Sequence, residues 1–162
     1  MTKTGALKIT TPTDRELVMT RVFDAPRAMV FDALTKADLV KRWLLGPPGW
    51  TMPVCEIDVR SGGKYRYVWQ NADGRKMGMG GTFQEVVQPS RIVATEVYED
   101  YWTGGETLVT TELVETRGKT TVSTTVRYAS RDARDAALKM GATKGLEASY
   151  NRLDELLNEE TH

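Results

Sequence analysis

The run Cys55-Glu56-Ile57-Asp58-Val59-Arg60, with Arg66 a few residues on, sets two carboxylates two positions apart beside two guanidinium groups. These are residue types that general acid–base chemistry uses. Glu96 is a further candidate, because it alternates with Ile92, Ala94 and Tyr98 in a strand-like run. An inward Glu96 would be buried, and burial moves a carboxyl toward proton exchange near neutral pH. The opposite face of that run, Val93, Thr95 and Val97, is equally strand-like, so alternation leaves its direction open. Nucleophiles are scarce. Cys55 is the only cysteine and alternates with Ile57 and Val59, so it reads as a buried, inert thiol, and no disulfide or CxxC pair can form. The only histidine is His162, at an end expected to fray, which removes Ser-His-Asp, Cys-His and multi-histidine metal chemistry. No metal site and no cofactor is expected.

Strand register decides what the first cluster can do. A three-residue loop, Ser61-Gly62-Gly63, sets Asp58 opposite Arg66 and Arg60 opposite Lys64, with Ile57 opposite Tyr67 and Val59 opposite Tyr65. One face is then almost wholly charged, and the other carries Cys55, Ile57, Val59, Tyr65, Tyr67 and Trp69. A two-residue loop would mix carboxylates with aromatics, which a sheet buried on one face does not tolerate. The charges therefore read as solvated cross-strand ion pairs, each contributing about 0.2–1 kcal/mol, rather than as a catalytic dyad.

The elements that hold these faces follow from pattern. Residues 1–14 form a loose lead-in, and one domain is expected over residues 15–158, with 159–162 frayed. Arg15–Phe23 is rich in β-formers and reads as a strand. "DAPRAMVFDALT" starts a helix with Pro26 at its first position, and "KADLVKRWLL" gives a second short helix that Gly46-Pro47-Pro48-Gly49 ends. From Thr51 to Tyr128 short Gly- or Pro-bearing turns separate about six antiparallel strands, so the sheet has about seven in all. A turn near Asp73-Gly74 brings Met77, Met79 and Phe83 beside Trp69, Tyr67 and Tyr65. Arg117-Gly118 brings Val109 and Leu113 beside Val122, Val126 and Tyr128. Gly78, Gly80 and Gly81 make no phosphate loop and instead allow the sheet to bend. The remainder, "RDARDAALKMGATKGLEASYNRLDELLNEE", reads as one long helix. Ala136, Met140, Thr143, Leu146, Tyr150, Leu153 and Leu157 share one face of it. Its first half is small (Gly141, Ala142, Gly145, Ala148) and its second half leucine-rich, which predicts tight packing at one end and a gap at the other.

Composition excludes several classes. Basic and acidic residues balance at 22 each, so neither nucleic acid nor an anionic membrane surface is an expected partner. No apolar run nears the roughly 20 residues that span a bilayer, and the N-terminus lacks a signal-type apolar core, so membrane insertion is not expected and the cytoplasm is. A homodimer is left open.

The order strand, two short helices, antiparallel meander and long C-terminal helix resembles the α+β helix-grip fold of the START/polyketide-cyclase superfamily, which includes the birch-pollen-allergen-like proteins. More narrowly, "RVFDAPRAMVFDALT", "LVKRWLLGPPGWT", "CEIDVRSGGKYRYVW", "GTFQEVVQPSRIV" and "MGATKGLEASYNRLDELL", from Val22 to about Leu157, resemble the family named for homologues of the activator of the heat-shock-protein-90 ATPase. The resemblance implies a cavity between sheet and long helix that holds lipids, polyketides or other hydrophobic molecules, some of which relatives cyclise. Many relatives carry Gly-Trp where this chain has Gly145-Leu146, a change that reshapes the expected pocket.

Three functions follow as expectations. The first is binding of a hydrophobic, aromatic or lipid-like small molecule in that cavity. Its walls would come from Tyr65, Tyr67 and Trp69, from Met77, Met79 and Phe83, and from Tyr128, Met140 and Gly145. Trp43, on a short amphipathic helix, reads as core as well as a candidate wall residue. Trp50, after the rigid turn, reads as a rim residue, and Trp102, in "EDYWTGGE", as a lid or an exposed aromatic. The second expectation is a cyclase- or hydrolase-like enzyme using Glu96. The third is a chaperone-associated or other protein-interaction module.

Overall fold

The computed structural model describes residues 6–99 and 105–161. Eight strands form one open antiparallel sheet. They are β1 (Lys8–Thr10), β2 (Glu16–Phe23), β3 (Trp50–Ile57), β4 (Lys64–Asn71), β5 (Lys76–Val87), β6 (Arg91–Tyr98), β7 (Thr107–Thr116) and β8 (Lys119–Arg127). Their order across the sheet is β1-β2-β8-β7-β6-β5-β4-β3. Helices α1 (Arg27–Thr35) and α2 (Ala37–Trp43) carry the chain from β2 to the far edge at β3. From there every strand returns beside its predecessor. The expected count of about seven strands missed β1, whose three exposed residues show no alternation.

Turn chemistry sets the pairing. Arg117 (φ 55°) and Gly118 (φ 77°) both adopt positive φ, the two-residue turn that matches strand twist. Leu113 accordingly faces Val122, and Val109 faces Val126, as the sequence predicts. Across the next hairpin Trp69 pairs with Met77 and Tyr67 with Met79, also as predicted. The β3–β4 register differs by two residues from the expectation: Glu56, not Asp58, faces Arg66, and Ile57 faces Tyr65. The loop is longer than three residues because it folds onto β5, with the Gly62 N–H donating to the Phe83 carbonyl and the Phe83 N–H to the Gly63 carbonyl, both at 2.8 Å. A shift of two preserves the faces, so the apolar and charged sides stand as read while the ion pairs change. Asp58 takes Arg60 at 2.8 Å, and Arg66 donates twice to Glu99, at 2.9 and 3.0 Å.

The expected single C-terminal helix is two. Helix α3 (Arg131–Lys139) is capped by Ser130, whose hydroxyl accepts from the Ala133 N–H, and it ends at Gly141, where φ is +85°. Glycine at that left-handed position stops a helix, and α4 (Ala142–Thr161) starts afresh. Met140 lies in the joint and is 64% exposed, so the predicted stripe does not run through it. Each helix covers its own apolar cluster. Ala133 and Ala137 of α3 join Leu17, Met19, Val126 and Tyr128. Tyr150, Leu153, Leu156 and Leu157 of α4 join the main core with Phe23, Val30, Phe31 and Trp43. A leucine buried as fully as Leu153 contributes about 1.5–3 kcal/mol.

Candidate functional site

The Gly-Pro-Pro-Gly segment is pinned at its start. The Trp43 indole lies 5.8 Å from the Tyr150 ring, is 3% exposed and donates to the Ala33 carbonyl at 2.8 Å, which makes it core. The Leu44 carbonyl accepts from the Trp69 indole at 2.7 Å. The Gly46 N–H donates to Ser149 Oγ at 2.9 Å, and its carbonyl accepts from Arg152 at 2.7 Å. The segment is thereby tied to β4 and α4 together, and Trp50, half-buried, opens β3 opposite Asn71.

Inside the sheet an aromatic row runs Phe83, Tyr65, Tyr67, Trp69, with ring centroids 5.3, 5.2 and 5.8 Å apart in succession. Met79 and Met77 flank it on β5, Met79 buried and Met77 half-buried. Cys55 and Ile57 flank it on β3 and are half-buried. Burial pushes the Cys55 thiol up to about 11, which leaves it unreactive at neutral pH. The β5 glycines serve close approach: a Cβ at Gly81 would strike the Thr95 carbonyl oxygen of β6, and one at Gly80 would lie 2.6 Å from the Tyr65 carbonyl oxygen.

Glu96 points into this face with Ile92, Ala94 and Tyr98, opposite Thr107 of β7. It retains accessible surface, yet surrounding protein pushes its carboxyl up to about 7. Its carboxyl is thus both touched by solvent and largely enclosed by protein. Four tyrosines lie within its electrostatic reach: Tyr65, Tyr67, Tyr98 and Tyr128. Burial is the first cause that raises all four, Tyr128 to about 12; the Glu96 charge comes second for Tyr65, Tyr98 and Tyr128 and third, after Cys55, for Tyr67. The Tyr65 hydroxyl is committed to the Thr95 carbonyl at 2.7 Å. Among the described residues neither the Glu96 carboxyl nor the hydroxyls of Tyr67 and Tyr98 has a hydrogen-bond partner. Among the described residues the sealed side-chain atoms without a hydrogen bond are both on Arg21, so these oxygens keep contact with solvent, where water or a ligand can meet them.

The small half of α4 meets the core through Leu146. Gly145 stands one turn before buried Ser149, and a Cβ added there would meet nothing within 4 Å. Leu146, half-buried, touches both apolar clusters. Tyr65, Tyr67, Trp69, Met77, Met79 and Phe83 therefore gather on one wall with Glu96, and Tyr128 comes within its electrostatic reach from the end of β8. Trp43 and Met140 do not join them. Trp102 and His162 lie outside the described residues.

A second inward charge was missed by sequence reasoning. Arg21 of β2, only 2% exposed, donates to Asn151 at 2.8 Å, lies 3.6 Å from the Asp154 carboxylate and sits over the Phe23 ring at 5.2 Å. The signal was present in the alternation Leu17, Met19, Arg21, Phe23, whose third member is basic. On the outer face of the sheet an open depression of about 460 Å³ is lined by Glu56, Lys64, Arg66, Val97 and Glu99 among others, and its Arg66–Glu99 pair is already satisfied. Glu99 is held below the usual carboxylate range by its hydrogen bonds to Arg66. Among the described residues no cluster has the makeup of a metal site, and no helix is long and apolar enough to cross a membrane.

Known proteins resemble this architecture closely. A crystal structure from Rhodobacter sphaeroides superposes with a TM-score of 0.91 at 32% identity, covering 96% of this chain and 99% of that one. Protein NE0264 from Nitrosomonas europaea gives 0.82 at 26% identity, covering 93% and 99%. A protein from Silicibacter pomeroyi, whose name assigns it to the same group as the family match below, gives 0.74 at 21% identity, covering 90% and 99%, a likeness of fold alone. No curated protein matches. The model of the family described as Activator of Hsp90 ATPase homolog 1-like protein matches residues 24–158. With that match over most of its length, on a helix-grip sheet closed by a C-terminal helix, the chain belongs to the Activator of Hsp90 ATPase homolog 1-like family.

Proposed function

We propose that this protein binds a hydrophobic small molecule in the recess between the β3–β6 half of its sheet and the N-terminal half of α4. One observation carries the reading: this inner wall is aromatic and methionine-rich yet half-open at Trp50, Met77, Glu96 and Tyr98, while the first half of α4 is built from small residues. Recesses with apolar walls and a few convergent polar groups are the usual form of a small-molecule site. The family's fold commonly holds ligands, which agrees with it. Binding of the neutral fluorescent probe N-phenyl-1-naphthylamine tests it. Wild-type protein is expected to bind the probe, and Leu146→Trp is expected to weaken it at least tenfold with unfolding unchanged. An equal affinity in both proteins would remove the recess as the site.

A second reading, acid–base catalysis on such a ligand, is favoured by Glu96. A partnerless carboxyl held near 7 suits proton exchange at neutral pH. Native mass spectrometry of protein purified gently from its host separates the two, because an intact carried molecule favours binding and a converted one favours turnover. The exposed hydrophobics Ile9, Val87, Val97, Val114 and Met140 are borne singly by five different segments, which gives a protein-docking face no support among the described residues.

A further inference from the structure

We infer that the molecule this recess takes is an organic cation, an apolar body bearing a protonated or quaternary nitrogen, with the nitrogen seated on Glu96 among the tyrosine rings. The inference rests on the reading of the recess as a ligand site and names its ligand class.

The sign of the charge comes first. Arg21 and Glu96 are the charged residues that the described strands turn into the core side. Arg21 is paired within the protein by the Asp154 carboxylate 3.6 Å away and by one hydrogen bond to Asn151 on α4, although its Nε and second terminal nitrogen make no hydrogen bond. Glu96 is answered by nothing among the described residues, and no cation contributes to its titration. A fatty acid or other anion would set its charge against that carboxyl with no guanidinium or ammonium from the described wall to offset it. A cation would supply the missing partner.

The walls point the same way. Aromatic rings present negative faces, and cages of them hold ammonium groups by cation–π attraction, more strongly where water is excluded. Phe83, Tyr65, Tyr67 and Trp69 form a continuous row of such rings, and Tyr98 and Tyr128 come close to Glu96 from β6 and the end of β8. Apart from the Cys55 thiol and the Trp69 indole N–H, which is committed to the Leu44 carbonyl, the polar side-chain atoms of the wall are a carboxylate and phenol oxygens, and all of these can accept. The tyrosine hydroxyls can also donate, which lets the site hold water when it is empty.

Protonation linkage gives a signature that belongs to the protein alone. The titratable groups facing Glu96 are Tyr65 and Tyr67 of β4, Tyr98 of β6 and Tyr128 beyond β8, with Cys55 of β3 beside Tyr67; Thr107 faces it from β7 and does not titrate. All the tyrosines and the cysteine are pushed upward and stay neutral below pH 9. Glu96 is therefore the described wall group that changes charge between pH 5.5 and 8.5. A quaternary ammonium cannot titrate, so its affinity should rise with pH across that range and level off once Glu96 is ionised.

Calorimetric titration with three ten-carbon probes tests this: decyltrimethylammonium, decan-1-ol and decanoate, all below their micellar concentrations. At pH 8.5 the ammonium is expected to bind at least tenfold more tightly than either of the others, and the advantage should shrink at least fivefold by pH 5.5. Glu96→Gln is expected to cut the ratio of ammonium to alcohol affinity at least tenfold and to abolish its pH dependence. Tyr98→Leu should lower the same ratio less. Should decanol or decanoate match the ammonium in the wild-type protein, or should the preference survive Glu96→Gln, the cation assignment is overturned while the recess stands as a site. Should none of the three bind, the assignment and the binding reading fall together.

Discussion

The two inward charges of this protein live in opposite surroundings. On the α4 side of β2, Arg21 is sealed from solvent beside the Phe23 ring and meets Asn151 and Asp154. On β6, Glu96 stands in a half-open wall with no described hydrogen-bond partner. The contrast separates a charge that holds the fold together from one left available. Burying an ion without a partner is costly, so a sealed charge must be answered internally, and an unanswered one persists only where water or a ligand can reach it.

The sharpest way to break the comparison is to make Arg21 resemble Glu96. Asp154→Ala leaves the guanidinium sealed with half its partners, and the expected loss is about 3–5 kcal/mol in urea unfolding. A loss below about 1 kcal/mol would show that the Arg21 end is not the locked one. The next test titrates the other charge. Glu96 holds its proton more tightly folded than unfolded, with a value near 7 against 4.5. Its contribution is therefore fully present below about pH 4.5 and is lost as pH rises through 7, a decline of about 3 kcal/mol for that group. Glu96→Gln should flatten that part of the stability profile and leave the variant the more stable protein at pH 8; parallel profiles would contradict it. The smallest effect compares two glycines of the helical segment. Gly145→Ala meets open space on helical backbone and should raise stability by about 0.5–1 kcal/mol. Gly141→Ala must adopt φ +85° and should lower it by a similar amount or more. Thermal denaturation reads both.

Much of this was legible because burial imposes a period. The charged and apolar faces of β3, β4 and β5 follow from alternation, and positive-φ turns such as Arg117-Gly118 fix register locally. The β3–β4 register was not legible, because a slip of two leaves every side chain on its proper face and the deciding contact, Gly62 with Phe83, is remote in sequence. Gly141 hid among the small residues of one apparent stripe, although its backbone ends a helix. The direction of Glu96 could not be read, because both faces of β6 carry strand-forming residues. Its pairing with buried Thr107, and the burial of Ile92 and Ala94 on the same face, turn it inward. Arg21 escaped notice because an arginine inside a strand is ordinarily at the surface, and its partners lie 130 residues away.

An open sheet also has two rims where a foreign strand could attach. Here one rim is β1, only three residues long, and the other is β3, which carries Pro53 and a break in register between Thr51 and Val54. Proline has no amide hydrogen to offer and an irregular strand offers no even ladder, so both rims discourage the strand-on-strand growth that leads to aggregation. The protein can thus leave its inner face partly uncovered without presenting an inviting edge beside it.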